Sequence, residues 1–203
     1  MKKDKRGYST FYDSKKRFAS YWHQIDEVRK ITPDSVLEIG AGSGFVRDYL
    51  KKYVNITSFD LSAELDPDCC GSVTHLPFRD ETFEAVLCCQ VLEHLPFDDF
   101  VTSLRELARV SSKKVVLSLP DKRKHYTIQL PGIGKKIFSN PFHRHCHHEF
   151  DGQHYWEVNA IGTELEKVLS AIREAGFRME RNYQVQENYK HRFFILSPGT
   201  PVL

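Results

Sequence analysis

The stretch VLEIGAGSGF, Val36 to Phe45, carries an apolar run into an acid and then three glycines at alternate positions. Val36, Leu37 and Ile39 suit a strand buried on both faces. Gly40, Gly42 and Gly44 suit a turn that needs positive φ and close backbone approach, and a helical pattern follows from Phe45. A strand, tight turn and helix in this order presents backbone amides to a ligand. The ligand class follows from the spacing. A dinucleotide fingerprint is GxGxxG with an acid about 20 residues further on. Here the spacing is GxGxG, and Glu38 stands two residues before the first glycine. A carboxylate there would repel a pyrophosphate but could accept hydrogen bonds from an ammonium group or orient the loop amides, which disfavours NAD.

Working outward, residues 1–34 are charged and aromatic, with a helix expected from about Ser14 to Lys30 and ended by Thr32-Pro33-Asp34. Strands are expected over Ser35 to Ile39 and Asn55 to Asp60, separated by a helix to about Tyr53. Asp60 then lies at a strand's carboxyl end, the edge that lines the ligand crevice of an open α/β sheet, where it can receive two ribose hydroxyls. A short strand is expected near Cys70 to Thr74. The segment HLPFRDETFEAVLCCQVLEHLP, His75 to Pro96, reads as a Leu-Pro-Phe turn, an acidic loop, a strand from about Phe83 to Cys89 and a polar exit at Glu93-His94.

These pieces together, VLEIGAGSG, Asp60 and the LPF to VLEH segment, resemble the class I S-adenosylmethionine-dependent methyltransferases of the broad type 11 group, over roughly residues 34–120. The resemblance implies an α/β, Rossmann-like sandwich: a seven-stranded, mostly parallel sheet with an antiparallel last strand and helices on both faces. It implies S-adenosylmethionine as cofactor and S-adenosylhomocysteine as product. Glu38, Gly40, Gly42 and Gly44 would form the methionine-side cradle, Asp60 with Leu61 the ribose site, Leu76 with neighbouring Ser72 the adenine edge, and Gln90 a contact from above. Two positions depart from the group. Glu84 stands where an aspartate is usual, and Ser72 replaces the aspartate that binds the adenine amino group, so altered adenine contacts are expected.

Beyond Pro96, Asp98 can cap a helix with Phe100, Val101, Leu104, Leu107 and Ala108 on one face. Val115 to Leu119 reads as a buried strand. Thr163 and Glu166 have capping-box spacing, Gly176 stops the helix that follows, and strands over Phe177 to Gln186 and Lys190 to Leu196 form a hairpin. One methyltransferase domain is thus expected: an N-terminal helical lid (1–34) with Tyr8, Phe11 and Tyr12 as candidate contacts, a cofactor-binding core (35–119), a His- and aromatic-rich insertion (120–158) on the substrate side, and a C-terminal helix and hairpin (159–203).

The insertion is too long to be only a crossover. It holds six of the ten histidines, His125, His143, His145, His147, His148 and His154, and its basic residues suit an anionic substrate. The alternating histidines share one face of an extended segment, but no closed set of zinc ligands, CxxC or HExxH accompanies them, and no metal is assigned. Tyr155 and Trp156 are candidate substrate contacts and His154 a candidate general base. His94, at the crevice edge, is the better-placed base. A carboxylate acceptor would need none.

A chain of 203 residues with 40% hydrophobic and 28% charged residues fits a single globular domain. The net charge of +2 is too mild to argue for nucleic acid, so a small-molecule acceptor is expected. The five cysteines are odd in number and include two adjacent pairs, which argues against a disulfide framework. No signal region or apolar run of membrane-spanning length is present, and a cytoplasmic location without membrane association is expected. The competing reading is a non-catalytic Rossmann-like module that holds a partner through the basic insertion.

Overall fold

The computed structural model describes residues 12–123, 125–130, 134–139 and 146–199, with side chains described for 12–123 and 146–199. The first helix, α1 (Lys15–Ile31), starts where the Ser14 hydroxyl accepts the Arg17 amide at 3.4 Å and ends at Thr32, whose left-handed φ of 49° turns the chain into Pro33. There follow β1 (Ser35–Ile39), α2 (Phe45–Leu50), β2 (Asn55–Asp60), β3 (Cys69–Cys70), β4 (Phe83–Cys89), α3 (Phe97–Val110), β5 (Ser111–Pro120), β6 (His125–Leu130), β7 (Gly134–Ser139), α4 (Leu165–Glu174), β8 (Phe177–Gln184) and β9 (His191–Pro198).

Among the described residues, seven strands form one sheet in the order β3-β2-β1-β4-β5-β9-β8, and β6 pairs with β7 in a separate antiparallel ribbon. The sheet is parallel except for β9, which runs against both β5 and β8. Strand order reverses at β1, between β2 and β4, so the crevice at the carboxyl ends of β1 and β4 is the place this topology offers a ligand.

The period-two alternation of the central strands sorts their side chains onto two layers. Leu37, Val86, Cys88, Val115 and Leu117 pack with Phe100, Leu104 and Leu107 of α3 and Val168 and Ile172 of α4. Val36, Ala85, Leu87 and Val116 pack with Tyr21, Ile25 and Val28 of α1 and Val46 and Leu50 of α2. Each fully buried leucine here contributes roughly 1.5–3 kcal/mol relative to exposure. The sandwich is therefore helix, sheet, helix.

Several local expectations are corrected. The helix after the glycine turn stops at Leu50 rather than Tyr53, and the third strand is two residues long, Cys69–Cys70. Pro96, not Asp98, caps α3, and Asp98 lies in the first turn, where a carboxylate faces the helix's positive end. The Thr163 and Glu166 box does not form. Glu164 takes the cap position of α4, while the Thr163 hydroxyl donates to the Glu157 carbonyl at 2.7 Å. Glu84 serves structure: its carboxylate accepts the Asp34 amide at 2.8 Å and pairs with Lys113 at 2.7 Å.

Among the described residues no helix is long and apolar enough to cross a membrane. The five cysteines are unpaired. Burial raises the Cys88 thiol well above its ordinary value and pushes Cys89 up to about 12, whereas Cys70 and Cys146 are exposed. Thiol titration of the native chain should therefore label Cys70 and Cys146 quickly, Cys89 slowly through the cavity it lines, and Cys88 only in denaturant. Fast native labelling of Cys88 would contradict this packing.

Candidate active site

The glycine turn is held from both sides. The Gly40 amide donates to the Phe59 carbonyl at 2.9 Å, and Gly40 takes a φ of 81°. A Cβ on Gly40 would fall 2.3 Å from a methyl of Val91, so neither the dihedral nor the space admits a larger residue. Gly44, with φ 78°, caps α2 through backbone conformation alone. Across the turn stands Asp60, whose two oxygens accept the Ala41 amide at 3.0 Å and the Ser62 amide at 2.9 Å. A carboxylate offers about four lone-pair sites. Two remain for hydroxyls.

A cavity of about 330 Å³ opens over the carboxyl ends of the strands and is walled by Glu38, Gly40, Gly42, Asp60, Leu61, Ser72, Gln90 and His94 among others. Nine of the residues expected from sequence can be placed against it. Glu38 is 5% exposed and Leu61 77% exposed, the former buried in the floor and the latter at the mouth. Gln90 adopts a left-handed φ of 59° and donates to the Ser118 hydroxyl at 3.2 Å. The Ser72 hydroxyl lies 2.7 Å from that of Thr74. Gly44 shapes the turn from outside the wall. Leu76 does not line the cavity: it is a core residue whose amide donates to Glu106, and Val73 takes the wall position beside Ser72.

The substrate contacts expected in the insertion are likewise displaced. Trp156 is 3% exposed, packs edge-on against Phe97 and Phe100, and donates its indole N–H to the Leu95 carbonyl at 3.1 Å. It clamps the returning insertion to α3. Tyr155 is exposed beside Phe150. Tyr12 lines the cavity with the Arg17 guanidinium over its ring, whereas Tyr8 and Phe11 lie outside the described residues. His143 and His145 are outside them too, as is the side chain of His125, and His147 is exposed.

What the insertion does bring is His154. Its ring lies 5.0 Å from that of His94, centre to centre. The Nδ1 of His94 meets the Gln153 carbonyl at 2.9 Å, and the Nδ1 of His154 meets a Glu157 carboxylate oxygen at 3.1 Å. Burial lowers the His94 pKa, while the Glu157 hydrogen bond raises that of His154. Behind them Glu93 is fully buried, with neither carboxylate oxygen hydrogen-bonded among the described residues. Burial pushes its carboxyl up to about 8.

Residues 37–119 match the family described as Methyltransferase domain. With the glycine turn, the acid at the end of β2 and the β3-β2-β1-β4-β5-β9-β8 order, the assignment is decided. Residues 37–119 form a type 11-like, class I methyltransferase domain. Among solved structures, an S-adenosylmethionine-dependent methyltransferase from Clostridium acetobutylicum superposes with a TM-score of 0.62 at 11% identity, covering 94% of each chain. The 1,6-didemethyltoxoflavin-N1-methyltransferase of Burkholderia thailandensis, solved with its substrate and S-adenosylhomocysteine, gives 0.59 at 15% identity, covering 95% of this chain and 82% of that one. The [4+2]-cyclase SpnF gives 0.60 at 13% identity over 88% and 80%. At such identities the likeness fixes architecture and leaves the acceptor open. No curated protein sequence matches the chain.

The cofactor of this methyltransferase group is S-adenosylmethionine, and the residues present fit it: glycines at positive φ, a buried wall carboxylate at Glu38, and an Asp60 with spare acceptor capacity. Polar and aromatic cavity residues missed by sequence reasoning include Arg17, Tyr21 and Gln24 on α1 and His191 at the start of β9. On α1 they occupy the same helical face as core residues, so periodicity files them as packing. His191 Nδ1 lies 2.9 Å from the Ser20 hydroxyl, to which Asn188 donates at 3.0 Å.

Burial, then the nearby charges of Arg17 and Lys190, lower His191 to about 3. Since an unfolded histidine titrates near 6.5, the unfolded chain binds the extra proton between these values, and stability falls with pH through that window. Urea unfolding of the wild type should lose up to ~2 kcal/mol more between pH 6.5 and 5 than unfolding of His191→Asn, from 1.36 kcal/mol per pH unit. Parallel pH profiles would show His191 to be accessible to protons in the native state.

Proposed function

We propose that the chain moves a methyl group from S-adenosylmethionine to a small-molecule acceptor bound between α1, the His94 turn and the start of β9. The observation that carries this reading is one cavity with two chemically distinct ends. The β1 and β2 end has the glycine turn, Glu38 and Asp60, suited to an amino acid ammonium and a ribose. The β4, β5 and β9 end has Arg17, His94 and His191, suited to a second molecule that is anionic or accepts hydrogen bonds. The returning segment of the insertion braces the His94 turn, since the Gln153 carbonyl meets His94 and the Tyr155 amide donates to the Glu93 carbonyl.

When bound, S-adenosylmethionine supplies a methyl group on an already activated sulfonium, so the protein's task is alignment of donor and acceptor, an effect that can reach several kcal/mol. Glu38 and Asp60 hold the donor's two polar ends. Arg17 orients the acceptor's charge. His94 has Nδ1 engaged, which leaves Nε2 as the atom it presents to an acceptor's reacting group, and His154, with its own Nδ1 held by Glu157, stands behind it.

Calorimetric titration with S-adenosylhomocysteine, with NAD as control, tests the reading. Saturable micromolar-range binding of the first alone is expected. Absence of binding would leave a partner-holding module built on the same fold.

A further inference from the structure

Glu93, His94 and His154 each offer one ligand atom, and these atoms all lie within 4.8 Å of one another. Three independent features of the group have no account in packing alone. The Glu93 side chain is fully buried and neither of its oxygens has a hydrogen-bond partner from another residue among the described residues, a placement that costs several kcal/mol unless a cation, donors or a bound proton compensate it. Both imidazoles are oriented through Nδ1, one by a backbone carbonyl and one by a carboxylate, which is the outer arrangement that fixes a metal-binding histidine with Nε2 presented. The two histidines come from segments 60 residues apart in the chain, brought together by a loop whose own contacts converge on this point: Tyr155 N–H to the Glu93 carbonyl at 2.8 Å, and Asp151 Oδ1 accepting the Gln153 and His154 amides at 2.9 and 2.7 Å.

We propose that Glu93, His94 and His154 form a site for a divalent transition metal of the zinc class beside the cavity, whose wall His94 joins. Two imidazoles and one carboxylate suit zinc, cobalt or iron(II) better than magnesium or calcium, which prefer all-oxygen sets. Ligand atoms about 2.0–2.2 Å from zinc sit roughly 3.4 Å apart, so the group closes by about an ångström or a little more, within the reach of side-chain rotation. A second grouping, Asp151, His154 and Glu157, is less suited: Asp151 Oδ1 is spent on two backbone amides and Glu157 on orienting His154. Three protein ligands leave a coordination position open. His94 also lines the cavity, which would bring an oxygen of the acceptor towards that position, a consequence that rests on the function proposed above. Under this arrangement the two Nε2 atoms hold a cation rather than accept a proton.

The test uses the full-length chain stripped with chelator, titrated with cobalt(II) followed by visible absorption and with zinc(II) by calorimetry. One equivalent should bind at micromolar affinity or tighter, with the cobalt bands of a four- or five-coordinate nitrogen and oxygen site. Glu93→Gln, which conserves shape, and His154→Ala should each weaken that equivalent at least 100-fold. Glu157→Gln should weaken it about 10-fold by releasing the His154 ring. His147→Ala, in an exposed histidine of the insertion, should leave it unchanged. Thermal melting without metal checks that each variant folds, and S-adenosylhomocysteine affinity, read separately, should persist in all of them, so failure of the metal site is distinguishable from failure of the cofactor reading. Binding that is absent, or undiminished in Glu93→Gln and His154→Ala, or lost in His147→Ala, would overturn the assignment.

Discussion

Replacing Asp60 with alanine is expected to weaken S-adenosylhomocysteine binding about 100-fold, ~3 kcal/mol, while the chain keeps its fold. The size follows from what the carboxylate does. Hydrogen bonds to a charged group contribute roughly 1.5–3 kcal/mol each, and Asp60 has acceptor capacity for two ribose hydroxyls beyond the amides of Ala41 and Ser62 that it already holds. Its removal also frees those amides, so the glycine turn loses the clamp that joins it to the end of β2. Both losses fall on the ligand. The fold should survive because Asp60 is only partly buried and the β1 to β2 pairing runs through backbone bonds from Ser35 with Asn55 to Ile39 with Phe59. Calorimetry gives the affinity and a thermal melt gives the fold. An affinity within threefold of wild type would remove Asp60 from the site.

Arg192→Ala is expected to cost about 3–5 kcal/mol of stability, because it strands a buried carboxylate. Asp121 and Arg192 are 4% and 6% exposed and meet at 2.7 Å. The Asp121 carboxylate also accepts the Asn159 amide group at 2.8 Å and the Arg123 backbone N–H at 2.7 Å, and Arg192 donates to Asn182 at 2.7 Å. One network thus ties the end of β5, both ends of the insertion, β8 and β9. For a domain of this size the loss corresponds to roughly 6–20 °C in Tm. Replacing both charges, as Asp121→Leu with Arg192→Met, should recover much of it, since an apolar pair carries no stranded ion. A single variant that melts within 3 °C of wild type, on the order of 1 kcal/mol, would show that water reaches this pair.

The comparison of expectation and structure separates along a physical line. β1 and β4 have the boundaries their apolar runs imply, Ser35–Ile39 and Phe83–Cys89, since strands buried on both faces announce themselves by composition, and β2 also has its expected bounds, Asn55–Asp60, although it is buried only towards its carboxyl end. The Thr163 box failed because the helix starts one residue later, with Glu164 at the cap, and the preceding loop turns the Thr163 hydroxyl to the Glu157 carbonyl. Asp98 failed as a cap for a related reason: Pro96, with its extended backbone, already sets the start of α3. Leu76 and Trp156 were placed correctly along the chain and wrongly in space. An apolar residue near a ligand-binding turn has the same signature whether its side chain turns to the ligand or to the core.

By itself the sequence determined the sheet, the glycine turn that only Gly40 permits, the carboxylate at the end of β2 and the class of cofactor, because each depends on neighbours within one strand, turn and helix. Only the tertiary structure decided which further side chains gather beyond the strand ends. Arg17, Glu93, His154 and His191 come from four separate segments. Their meeting depends on how α1 lies on the sheet, how Trp156 anchors the insertion and how β9 inserts beside β5, and the burial that sets their chemistry exists only once those packings are made.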